Sequence, residues 1–211
     1  MWGVNDLNHV ATAARKEDWG TVRAALRSGM PPDARGDDGL FGPNLEPSER
    51  SVSIFMWVVS HHNVDLAAEF VAAGADVLAP PGTYSSTPMH SAAASGNVAM
   101  LKTLGAQNYV HAPNGRHGGN LLHILARYGR LKALEWVFGA APDAPTALFV
   151  ADPGGLLPVD RCGDRDGSIR YPACVAFLRA YMTPEAQQRS LRWTSLRAAW
   201  VQAVVAVGPG K

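Results

Sequence analysis

Seven histidines, two cysteines and several short runs of aspartate and glycine are where metal, nucleophile or phosphate chemistry would have to begin in this chain. His61 and His62 are neighbours; on a helix they point about 100° apart and do not converge on one ion. His111 and His117 have no cysteine or carboxylate around them to complete a four-ligand zinc set. Cys162 sits in the charged turn Asp160-Arg161-Cys162-Gly163-Asp164-Arg165-Asp166-Gly167 with no recognisable base to activate it. Asp160, Asp164 and Asp166 superficially resemble a calcium loop, but the flanking pattern and the closing glutamate are missing. Gly115-Arg116-His117-Gly118-Gly119 lacks the G-K-[ST] ending of a phosphate loop. The expectation is therefore no catalytic, cofactor or metal site, and no enzyme.

The totals agree. Apolar residues make up 47% of the 211 and charged residues 18%, with a net charge of +1, enough for a continuous core and giving no general attraction to nucleic acid. Cys162 and Cys174 lie outside any C-x-x-C spacing and read as two reduced thiols, one or both partly buried, with a disulfide as the alternative. A reducing compartment fits best. The first residues carry neither the basic nor the apolar region of a secretory signal. No apolar run reaches the ~18 residues of a membrane span; the nearest, Ala198 to Val207, is interrupted by Gln202. The expected location is intracellular and cytoplasmic, with an organelle such as the mitochondrion or a cytoskeletal assembly as alternatives.

An internal period carries more weight. Thr87-Pro88-Met89-His90-Ser91-Ala92-Ala93-Ala94-Ser95-Gly96 is followed 33 residues later by Asn120-Leu121-Leu122-His123-Ile124-Leu125-Ala126-Arg127-Tyr128-Gly129. His90 aligns with His123, Ala93 with Ala126 and Gly96 with Gly129. Thr87 suits a helix N-cap, Pro88 the first helical position and Gly96 a left-handed C-terminal turn. A second helix is expected from Val98 to Gln107, with Asn108 in the left-handed position that glycine would otherwise fill. The stretch resembles the T-P-L-H signature of ankyrin repeats, and the spacing is that family's period.

The resemblance extends both ways. Ser53-Ile54-Phe55-Met56 falls in the T-P-L-H slot of an earlier repeat, with His62 where glycine would sit and Phe70 to Val77 closing it. Ala13 to Gly29 looks like a first repeat with a polar outer face. Leu157-Pro158-Val159-Asp160 looks like a fifth slot, and Pro172 to Tyr181 like its second helix. The expected fold is all-α: an ankyrin-repeat solenoid of about five helix-turn-helix repeats with β-turn fingers. The approximate repeats are 6–38, 51–84, 85–117, 118–154 and 155–182.

Two connections are longer than such a repeat needs. Residues 39–50 hold Leu40, Phe41 and Leu45, and residues 141–153 hold Leu148, Phe149 and Val150. Insertions of this kind either extend a binding face or tuck back on the stack. Residues 183–211 read as a C-terminal amphipathic helix and tail: Leu196, Trp200, Ala203, Val204 and Val207 form one stripe, and Arg189, Arg192 and Arg197 lie elsewhere. That helix either caps the last repeat or docks Trp193 and Trp200 into a partner, and a third reading lays it on a membrane surface. The resemblance implies protein recognition through fingers and inner helices. The expected contact residues are Arg35, Asp37, Phe41, Tyr84, His111, Arg116, His117, Phe149, Trp193 and Trp200. A scaffold subunit of a larger assembly is the expected role, with a free-standing adaptor as the alternative.

Overall fold

The computed structural model describes residues 2–37, 51–79, 86–113, 118–163 and 169–184. It divides into two compact units, residues 1–106 with 114–116 and residues 107–113 with 117–211. Among the described residues helices dominate, and the one named sheet is a two-stranded hairpin.

In the first unit, α1 (Val4–Arg15) pairs with α2 (Trp19–Arg27), α3 (Ile54–Ser60) with α4 (Val64–Ala72), and α5 (Pro88–Ser95) with α6 (Val98–Thr103). The odd helices pack in one row and the even helices in another. Phe55 and Phe70 stack between α3 and α4, ring centroids 5.3 Å apart, and Ile54, Leu66, Met89, Met100 and Leu101 are fully buried around the rows.

Each pair is punctuated by short polar side chains. Ser53 and Thr87 cap α3 and α5, accepting from the N–H groups of Met56 and His90. Asp18, Asn63 and Asn97 cap α2, α4 and α6 in the same way. Each such cap satisfies a backbone donor that the helix leaves orphaned. Between the members of a pair the chain passes through a left-handed residue: Glu17 at φ 62°, His62 at φ 59°, Gly96 at φ 73°.

One boundary differs from the sequence expectation. Helix α6 stops at Thr103, and Gly105, at φ 68°, takes the left-handed position that Asn108 was expected to hold. Asn108 instead ends a 3₁₀ turn, Ala106–Asn108. Glycine has no Cβ to clash in that conformation, so the chain turns at the first glycine it reaches.

The second unit is built from α7 (Leu121–Arg127), α8 (Leu131–Ala140), the short α9 (Ala144–Ala147), a 3₁₀ turn (Pro158–Cys162) and α10 (Pro172–Ala180). Helix α7 packs on the 3₁₀ turn, and α8 on α10 through Phe138, Phe177 and Tyr181, whose rings lie 4.4 to 5.3 Å apart. The slot beginning at Leu157 therefore makes a 3₁₀ turn where a repeat would place an α-helix. Gly163 is already extended, at φ −113° and ψ 168°, which stops the helix after five residues. Asp160 still does the work of the histidine it replaces, accepting from the Leu157 N–H at 2.9 Å.

Candidate interaction surface

The first unit presents its finger as strand β1 (Arg35–Asp37) paired antiparallel with β2 (Ser51–Ser53), Arg35 opposite Ser53 and Asp37 opposite Ser51. The strand is pressed against α1: a Cβ on Gly36 would lie 2.4 Å from the Leu7 carbonyl oxygen, so only glycine fits there. The Asp37 N–H donates to Asn8 Oδ1 at 2.9 Å. Asp33 Oδ1 accepts from the Asp76 N–H at 2.8 Å, linking two successive turns. Arg35 and Asp37 are half-buried on this strand, each engaged with its surroundings. His61, which follows α3, has Trp57 of α3 and Trp19 of α2 beside it, its ring 5.1 and 5.5 Å from theirs. The His61 Nδ1–H donates to the Trp57 carbonyl at 3.0 Å, and Ser60 faces Ser91 at 3.4 Å.

The second unit's edge is assembled from the turn around His111 and the insertion at 141–153. Residues 144–147 form α9, with Ala144, Ala147 and Leu148 wholly buried. The next two residues face out: Phe149 is 44% exposed and Val150 45%. The Thr146 hydroxyl donates to the Asp143 carbonyl at 2.8 Å and is left to accept from His111 Nε2 at 3.3 Å. His111 and the segment bearing Phe149 are thereby brought to one edge.

A buried polar network holds that insertion. Asn120 caps α7 through Oδ1, accepting from Leu122 and His123, while its amide donates to the Ala147 carbonyl at 2.7 Å. His123 Nε2 lies 2.9 Å from the Leu156 carbonyl, which can only accept, so the proton sits on Nε2 and Nδ1 accepts from the Asn120 N–H at 3.1 Å. Burial holds the His123 pKa below the ordinary imidazole value, outweighing the Leu156 carbonyl and Asp152, which act the other way. Asp152 receives the N–H groups of Gly154 and Leu156 and the guanidinium of Arg161, whose Nε is 2.7 Å away. Burial raises the Asp152 pKa, but Arg161 and the two backbone donors together overcome it and leave the carboxyl below its usual range. The network pins the loop.

The crystal structure of EF0377, described as an ankyrin repeat protein, matches with a TM-score of 0.64 over 86% of this chain and 83% of that one, at 18% sequence identity. The fold is that of the ankyrin-repeat proteins. No family model matches the sequence. No curated protein matches it either.

Within the ankyrin-repeat fold, the structure locates four of the expected contact residues: Arg35 and Asp37 on β1, His111 against Thr146, and Phe149 beside the buried Leu148. Phe41, Tyr84, Arg116, His117, Trp193 and Trp200 lie outside the described residues, as does nearly all of the tail helix. Sequence reasoning missed Thr146, Asn120 and the Asp152–Arg161 pair, and also Trp57 and Ser60 on the odd-helix row. The repeat period would have found Trp57, since it places α3 in register with α5. Cys162 and Cys174 are both free and buried, and burial pushes the Cys162 thiol up to about 12, which makes it a poor nucleophile. Among the described residues no helix is long and apolar enough to cross a membrane.

Proposed function

We propose that this chain is a protein–protein interaction module acting as a structural or scaffold subunit of a larger assembly, with no catalysis of its own. The ankyrin-repeat fold typically serves interaction, and protein partners follow from it. The observation that carries the reading is the second unit's edge: Leu148 is fully buried while adjacent Phe149 and Val150 stand about half-exposed on a segment fixed by Asn120, His123 and Asp152. A pinned loop that displays apolar side chains is preorganised to bind, because little freedom is left to lose on contact. Phe149 and His111 on the second unit's edge, and separately Arg35 and Asp37 on the first unit's finger, are the described residues assigned to partner contact, and Phe41, Tyr84, Arg116, His117, Trp193 and Trp200 extend the assignment. The repeat division 6–38, 51–84, 85–117, 118–154 and 155–182, with a tail from 183, belongs to the same proposal. Two buried free thiols favour an intracellular, reducing compartment.

An adaptor that binds reversibly is the second reading, favoured by the well-capped helix pair from Thr87 to Thr103. Native capture of the tagged protein from its source cells, followed by sizing, separates the two. A particle of fixed composition is the expected result. A monomer with substoichiometric partners overturns the subunit reading in favour of the adaptor, and a monomer that captures nothing overturns both.

A further inference from the structure

The edge of the second unit formed by the turn between α7 and α8 differs in chemistry from the display edge at Phe149. Arg127 closes α7, Tyr128 follows it, Gly129 turns the chain at φ 65°, and Arg130 and Lys132 open α8. Tyr171 joins this turn from the start of α10: its ring lies so close over Gly129 that a Cβ there would sit 2.3 Å from Cδ1. The Arg170 guanidinium lies 5.4 Å from the centre of the same ring. One continuous patch results. Arg127, Tyr128, Lys132, Ile169 and Arg170 are exposed on it, Tyr128 by 44% and Ile169 by 54%. Glu135, a turn further along α8, is the exposed acid closest in sequence on that helix, and no described ion pair joins it to Arg127 or Lys132.

We propose that this patch docks an acidic segment of a partner protein that also carries apolar side chains. Arg127 and Lys132, on two chain segments, supply attraction for carboxylates, and the exposed Tyr128 ring and Ile169 supply area for the apolar residues between them. The patch goes beyond the interaction reading above, because it is a separate surface with a stated partner chemistry. The sequence also departs here from what the helix alone favours. Lys132 stands in the first turn of α8, where the helix macrodipole disfavours a cation, and a bound anionic chain offsets that cost.

The test measures fluorescence anisotropy of the full chain with a labelled peptide alternating glutamate pairs with leucine, beside its glutamine counterpart and single-stranded oligouridine. The glutamate peptide is expected to bind, to weaken with added salt, and to lose roughly tenfold in affinity to the variant carrying Arg127→Glu and Lys132→Glu. The same charge change at Lys102→Glu, in the first unit, is expected to leave binding alone. The melting temperature of the double variant should stay near that of the wild type, since an acid suits the start of α8 and costs a similar amount at the end of α7, so binding lost at an unchanged melting temperature would not reflect lost folding. Equal binding of both peptides, equal loss at Lys102→Glu, or tighter binding of oligouridine than of the glutamate peptide would each overturn the proposal. None of these outcomes touches the capture experiment, which can succeed through the Phe149 edge without this patch.

Discussion

The two units solve the same problem, fixing the loops between helices, by different means. In the first unit the turns within each helix pair are closed locally: Asp18, Asn63 and Asn97 each cap the helix that begins next to them, and each bond spans three residues. In the second unit the corresponding position is Arg130, which has no acceptor and makes no side-chain cap. Order there comes from groups far apart in sequence, with Asn120 holding Ala147 and His123 holding Leu156, and from Arg161 holding Asp152 inside the same loop region. Local caps make a regular stack and leave little room for variation. Long-range polar anchors allow an insertion to be carried and still be rigid, which is what a displayed binding edge requires.

The contrast can be broken most strongly at Leu148. Leu148→Ala should cost about 3 to 4 kcal/mol in urea unfolding, whereas Phe149→Ala next to it should change stability by no more than about 0.5 kcal/mol. Equal costs would mean that the insertion is not divided into an anchor and a displayed pair. Asp152→Ala comes next, at about 2 to 3 kcal/mol, because it strands the guanidinium of Arg161 and two backbone donors; Arg161 is 26% exposed, which keeps the loss below that of a fully buried pair. The surface ion pairs of the first unit, Arg23 and Arg27 with Glu69, should matter far less to the same measurement.

In the first unit Asn97→Ala should cost about 1 kcal/mol by loss of the cap on α6, and Asn97→Asp should restore most of it. The smallest effect is one of pH. His123 is kept neutral by burial, so below about pH 6.5 the unfolded chain takes up a proton that the folded chain refuses, and stability falls as pH is lowered. Asp152 adds a second loss at lower pH, as acid falls through its depressed folded value. Calorimetry at about pH 7.5 and about pH 5.5 should show a lower melting temperature at the acid value, and His123→Asn should reduce that difference.

Much of the fold was legible because its signals are short-range. Thr87-Pro88, the pair His90 and His123, and Gly96 are each explained by bonds within a few residues, and the 33-residue period sets them in register. The left-handed turn at His62 was legible for the same reason, although Glu17 in the matching turn was missed for want of a glycine or asparagine to mark it. The site was less legible. Whether residues 148–150 bury or face outward depends on partners such as Asn120, 27 positions away from Ala147, and His111 reaches Thr146 across 35 positions. No local pattern encodes such a meeting. The same reason hides the ion pair of Asp152 with Arg161, since sequence shows both charges and says nothing of the burial that makes them a structural unit.

The edge bearing Phe149 and Val150 is where we propose that a partner binds. The direct measurement is quantitative capture from source cells with the tagged wild-type chain beside the Phe149→Glu, Val150→Glu double variant, with the melting temperature of each recorded. Loss of the wild-type partner set from a variant that melts at the wild-type temperature is the predicted result. Recovery of the same partners in the same amounts would contradict the account.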